Sequence, residues 1–236
     1  MLDYEIVRRY VAWFHLATTA IRSSDPTAKV VLISQADRLL RYNPLLQSIL
    51  STITSKGIFD VVDVHHWRSA AQYKMPMVRE ICQHLDSIGL RTVTIWSCEN
   101  GMWTYQPMNH PFQTQEKQAR SLIRRYVFNI DLGLDKLFWN NLMEWIDFGR
   151  DPGKIFNSMR LIGDGMRNGE TPQNINQPRV SYHAYKLLVQ VIDVDKARYD
   201  GKMSIRNRTS MPIVTFCFQV TATLVISCGD TVGVRV

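Results

Sequence analysis

Four apolar runs begin near residues 30, 59, 91 and 136, and a stretch of helical periodicity stands between each pair. This alternation constrains the fold more than any other feature. Repeated strand–helix–strand connection favours parallel strands in one sheet with helices outside it. Strands of that kind are buried on both faces and read as unbroken apolar runs, as in Val30-Val31-Leu32-Ile33. Four such units fit either a doubly wound sheet or part of an eight-stranded barrel. No GxGxxG turn follows any of the strands, so the nucleotide-binding version loses support.

The helices have local signals. From Asp3 to Ile21 the residues Ile6, Tyr10, Val11, Phe14 and Ala17 recur at helical steps. Asn43-Pro44 opens a second helix, which Gly57 ends. Pro76 to Ile88 is a third, with Gly89 as its left-handed terminator. Gln113 to Ile130 and Ser181 to Ile192 complete the set. Between Trp145 and Pro178 the chain is polar and rich in Gly, Asn and Pro, which predicts a long surface loop. Beyond Asp195, Pro212–Val220, Thr223–Ser227 and Thr231–Val236 read as short strands, preceded by a basic, apolar-poor stretch from Lys202 to Arg208. The expected organisation is α/β, with residues 1–195 as one domain and 196–236 as a small β-rich appendage.

The third strand delivers Glu99 to its carboxyl end, where Asn100-Gly101 is a turn signal. A carboxylate at that end of a parallel strand is where an α/β barrel keeps its chemistry. Glu99 is therefore the first candidate catalytic residue. The alternative is that it accepts hydrogen bonds from backbone donors at the strand end. Asp37, just past the first strand, and Asp63, on the same side as His65 by alternation, are the other carboxylates at this barrel end.

Composition narrows the alternatives. The net charge of +7 permits contact with a polyanion, but the arginines are scattered at spacings typical of wet helix faces, and nucleic acid is not expected as a partner. The four cysteines, Cys82, Cys98, Cys217 and Cys228, show no CxxC spacing, so neither zinc nor a redox motif is expected. Adjacent His65 and His66 point to opposite faces of a strand and cannot converge on a metal. No cofactor is implied. The residues after Met1 lack the basic and apolar regions of a signal peptide, and no apolar run approaches the roughly 18 residues needed to span a bilayer. A soluble protein with no membrane partner is expected, its compartment unknown.

Five segments, taken in order, resemble the C-terminal half of retaining glycoside hydrolases of the clan A (β/α)8-barrel type. They are Ala20-Ile21-Arg22-Ser23-Ser24-Asp25-Pro26-Thr27-Ala28-Lys29-Val30-Val31-Leu32, Phe59-Asp60-Val61-Val62-Asp63-Val64-His65-His66-Trp67, Ile95-Trp96-Ser97-Cys98-Glu99-Asn100-Gly101, Gln118-Ala119-Arg120 with Phe138-Trp139, and Ser181-Tyr182-His183-Ala184-Tyr185. The resemblance covers roughly Tyr10 to Ile192 and implies a partial TIM barrel of about four C-terminal β/α units. It also implies that Glu99 is the catalytic nucleophile at the end of strand seven. His65, His66 and Trp67 at the end of strand six would line the sugar site, and Trp139 with Asn140 at the end of strand eight would form its floor. Trp rings offer flat apolar faces to sugar rings, and imidazoles bond hydroxyl groups. Trp96, which alternation puts on the face opposite Glu99, is assigned to packing under a helix.

Retaining hydrolysis needs a second carboxyl group about 5–5.5 Å from the nucleophile. In this family it stands in an Asn-Glu-Pro-like motif on strand four, and no Asn-Glu pair occurs in this sequence. The expectation is thus a fragment with the nucleophile half of a mechanism, acting on a carbohydrate. A non-catalytic carbohydrate-binding protein or an inactive relic of such a barrel is the alternative. Four parallel strands leave two open edges, so an N-terminal half-barrel or self-association is the expected protein partner.

Overall fold

A computed structural model describes residues 4–32, 44–53, 58–67, 74–105, 111–143, 158–163, 165 and 172–191, together with the strand residues 199–206, 212–218, 223–227 and 232–235. Asp37, Trp145 and Gly57 lie outside the described residues. The chain divides into two compact units. The first comprises Met1–Trp67, Met75–Asn100 and Leu132–Trp139, and the second comprises Arg68–Lys74, Gly101–Asp131 and Asn140–Val236.

The first unit follows the alternation in the sequence: α1 (Tyr4–Ser24), β1 (Val31–Leu32), α2 (Pro44–Thr52), β2 (Val61–Trp67), α3 (Pro76–Ser87), β3 (Thr94–Gly101) and β4 (Lys136–Trp139), with the last residue of β3, Gly101, counted in the second unit. The sheet order is β1-β2-β3-β4. β1 pairs in parallel with β2, and β3 in parallel with β4. Leu32, Val62, Val64 and Ile95 are buried in the sheet, and Val78 and Ile81 in α3. Fully burying such a side chain contributes about 1.5–3 kcal/mol. α3 ends as its sequence predicts. Gly89 has φ +78°, and the Leu90 N–H bonds the Leu85 carbonyl.

Asp60 ties α1 to the sheet. Its Oδ2 accepts from Arg22 Nη2 at 2.9 Å and from the Val30 N–H at 2.8 Å. Partial burial works against the charged carboxylate, but the Val30 N–H, Arg22 and Lys29 outweigh it and hold the Asp60 pKa below the ordinary carboxylate value.

β3 differs from its sequence reading. Asn100-Gly101 does not turn the chain; the strand runs through Gly101. Glycine is required there for space. A Cβ on Gly101 would lie 2.7 Å from Met159 Sδ and 2.8 Å from the Asn140 carbonyl oxygen. The pairing of β3 with β4 is also irregular, since Ser97 opposes Leu137 while Asn100 opposes Trp139. Two residues, Cys98 and Glu99, therefore occupy the span that Phe138 alone occupies on β4. This is a β-bulge, a device that bends a strand and re-aims a side chain.

In the second unit, α4 (Gln115–Asp131) packs on α5 (Val180–Val191), with the Tyr126 and Tyr185 rings 5.6 Å apart. β5 (Tyr199–Arg206), β6 (Pro212–Phe218), β7 (Thr223–Ser227) and β8 (Val232–Arg235) form an antiparallel sheet in that order. β5 takes in most of the basic stretch from Lys202 that showed no strand pattern. Part of the predicted surface loop is buried instead: Ser158, Met159, Arg160 and Leu161 are all enclosed. Among the described residues no helix is long and apolar enough to cross a membrane.

Candidate functional site

Period-two alternation puts Asp63, His65 and Trp67 on one face of β2. The structure brings the three together. His65 Nε2 is 2.6 Å from Asp63 Oδ2, and the His65 and Trp67 rings meet edge to face with centroids 5.3 Å apart. A carboxylate only accepts, so the Asp63 contact places the proton on Nε2 and leaves Nδ1 as the other working atom of the imidazole. Asp63 is almost completely enclosed, and its other oxygen, Oδ1, accepts the Cys98 N–H at 2.8 Å. One carboxylate thus orients the histidine on β2 and holds the bulge residue on β3.

Glu99 stands on that bulge. Its carboxylate Oε2 is 3.9 Å from His65 Nδ1, within ion-pair range and too long for a hydrogen bond. The Glu99 side chain is 42% exposed against 18% for His65, so a solute can reach it. The arrangement is a partly open carboxylate beside an imidazole that a second, buried carboxylate keeps in one orientation. A bound hydroxyl group could donate to either of these two acceptors, His65 Nδ1 or the Glu99 carboxylate.

Cys98 shares this environment without contributing a nucleophile. Burial first, then the charge of Asp63, a side-chain hydrogen bond to Asp63, and the charge of Glu99 push its thiol up to about 12. The thiolate is the reactive form, so Cys98 is inert at neutral pH.

The other expected site residues are placed as follows. His66 alternates to the face of β2 opposite His65 and is buried. Trp139 is the register partner of Asn100 and half-buried at the end of β4. Asn140, also half-buried, belongs to the second unit, where its carbonyl faces Gly101. Trp96 finds its described partners on and beside β4: its Nε1 donates to Asp135 at 2.9 Å, Lys136 lies over its ring, and Phe138 packs at 6.1 Å. Among the described residues no three His, Cys, Asp or Glu side chains converge as a metal site.

In the second unit, the backbone that leaves β3 is fixed by a buried polar network which sequence reading missed. Thr104 donates through its N–H and its hydroxyl to the Ser158 carbonyl. Gln118 Nε2 donates to the Met102 carbonyl at 2.8 Å and receives Ser181 Oγ on its Oε1 at 2.6 Å. Arg179 Nη1 donates to Thr104 Oγ1 at 3.1 Å and to the Arg160 carbonyl at 3.2 Å. A signal did exist in α4, where Gln118, Ser121, Arg125 and Asn129 repeat at helical steps and are all buried, a polar stripe beside the apolar one.

No protein-family model matches the chain, and no curated protein sequence does either. Solved structures do match in fold. A glucosidase from Croceicoccus marinus superposes with a TM-score of 0.57 at 13% identity, over 89% of this chain and 44% of that one. A GH10 protein from Paenibacillus barcinonensis gives 0.49 at 17% identity, over 78% of this chain and 51% of that one. A Bifidobacterium dentium beta-glucuronidase, solved with coumarin-3-O-glucuronide, gives 0.47 at 16% identity, over 78% and 27% respectively. The chain spans less than half the length of the glucosidase it resembles, and its fold is that of part of a (β/α)8 barrel.

Proposed function

We propose that this chain carries the nucleophile side of a retaining glycoside hydrolase site, with Glu99 attacking the anomeric carbon of an O-glycoside. The observation that supports it is the set Asp63–His65–Glu99, in which a solvent-reachable carboxylate at a parallel strand end faces an oriented imidazole. In this reading Glu99 forms the covalent glycosyl intermediate. His65 Nδ1 accepts a hydrogen bond from a sugar hydroxyl, and Trp67 and Trp139 offer ring faces to the sugar. Asp63 is a positioning residue: both of its oxygens are engaged, so it does not serve as the acid/base.

The engagement of Asp63 also favours a second reading, in which the chain binds carbohydrate without cleaving it. Incubation with a panel of aryl glycosides separates the two. Hydrolysis with retained anomeric configuration, reduced about a thousandfold or more by Glu99→Gln, supports the enzyme. Saturable sugar binding with no turnover supports the binding protein.

A further inference from the structure

The chain as a whole has a net charge of +7, yet the site on β2 and β3 has the opposite sign. Asp63 and Glu99 flank His65, and among the described residues neither carboxylate pairs with a lysine or an arginine. The ion pairs of Arg22 and Lys29 go to Asp60. Cys98 registers the local sign: burial first, then the charge of Asp63, a hydrogen bond to it and the charge of Glu99 all oppose its thiolate. Carboxylates without a cationic partner, set in a basic protein, create a local field that favours a positively charged ligand.

The geometry narrows that ligand further. With the Nε2 proton directed at Asp63, His65 Nδ1 is an acceptor, and so is Glu99 Oε2, 3.9 Å from it. Two acceptors at that separation suit a group that donates twice. A hydroxyl has one hydrogen and serves one of them, whereas an ammonium has three. A nitrogen about 2.8 Å from both atoms sees them roughly 90° apart, close to the angle between two N–H bonds. In a pyranose only one ring carbon adjoins the anomeric carbon, so a substituent on it lies nearest a residue that meets that centre. We propose, on the reading that Glu99 meets the anomeric carbon of a sugar, that the site takes a sugar with a protonated amine on the carbon next to the anomeric one, the amine donating to Glu99 Oε2 and His65 Nδ1. A free amino sugar is thereby preferred over its hydroxyl counterpart and over its uncharged N-acetyl derivative.

Isothermal titration calorimetry of the full chain at about pH 7, where an amine of this kind is largely protonated, tests this with methyl glycosides of glucosamine and mannosamine, each against its hydroxyl and N-acetyl counterparts. One of the two amino sugars binds about tenfold or more tighter than its hydroxyl counterpart, and N-acetylation removes the advantage. The advantage shrinks as salt rises from about 20 to 500 mM, and falls below about twofold in Glu99→Gln. Circular dichroism confirms that this variant folds; should it unfold, the salt series on the wild type carries the test. Equal binding of amino and hydroxyl sugars overturns the proposal, as does binding of no probe, or an amine advantage that persists in folded Glu99→Gln or ignores salt. Turnover is read separately. An amine preference without hydrolysis leaves the proposal standing and removes only the nucleophilic role of Glu99, whereas hydrolysis of hydroxyl sugars with no amine preference does the reverse.

Discussion

His65 Nε2 sits 2.6 Å from Asp63 Oδ2, while the same carboxylate takes the Cys98 N–H on its other oxygen. Two strands are coupled through one buried side chain, and the histidine facing Glu99 takes its tautomer from a residue that need not touch a substrate.

Asp63→Asn reverses that tautomer. The Cys98 N–H requires an oxygen, so the new amide presents its NH2 to His65 Nε2 and drives the ring proton to Nδ1, toward Glu99. Nitrogen NMR of the imidazole reads Nε2–H in the wild type and Nδ1–H in the variant. Loss of the charged hydrogen bonds also costs about 1–3 kcal/mol in urea unfolding.

Cys98 resists alkylation. With its thiol at about 12, iodoacetamide at pH 8 leaves the Cys98 peptide unmodified in the folded protein and labels it after unfolding, as site-resolved mass spectrometry shows. Asp63→Asn removes one of the two charges that oppose the thiolate, and Cys98 labelling in the folded variant becomes faster.

Asp60 makes stability depend on acid. Its folded pKa lies below its unfolded one, so its contribution is complete above the unfolded value near 4 and fades as pH falls through the folded value. Asp60→Asn is expected to lose about 1–2 kcal/mol at pH 7 and progressively less toward pH 2, measured as urea midpoints across that range.

Gly101→Ala destabilises the fold by about 1–3 kcal/mol through overpacking, visible as a lower melting temperature. Met159 can yield at its sulfur, but the Asn140 carbonyl is backbone, so combining it with Met159→Ala restores only part of the loss.

Much of the fold is legible in the residues. Val30–Leu32, Val61–His65 and Thr94–Ser97 announce themselves as buried parallel strands, Gly89 ends its helix as its neighbours predict, and alternation pairs Asp63 with His65. What escapes is whatever depends on distant contacts. The bulge at Cys98–Glu99 is set by the register against Leu137 and Trp139, and it breaks the alternation by which Glu99 would otherwise be placed. The role of Gly101 lies in the crowding by Asn140 and Met159 and leaves no trace in the Asn-Gly dipeptide. Arg179 reaches Thr104 across 75 residues, and no local pattern predicts that bond. β5 was missed because its cationic residues dilute the apolar pattern of a strand.

The most direct measurement is labelling by a panel of 2-deoxy-2-fluoro glycosides with good leaving groups, followed by peptide mass spectrometry. A single fluoroglycosyl adduct on Glu99, absent in Glu99→Gln and slower in His65→Ala, is the predicted result. An adduct on another carboxylate, or no adduct from any sugar in the panel, contradicts the assignment of Glu99 as nucleophile.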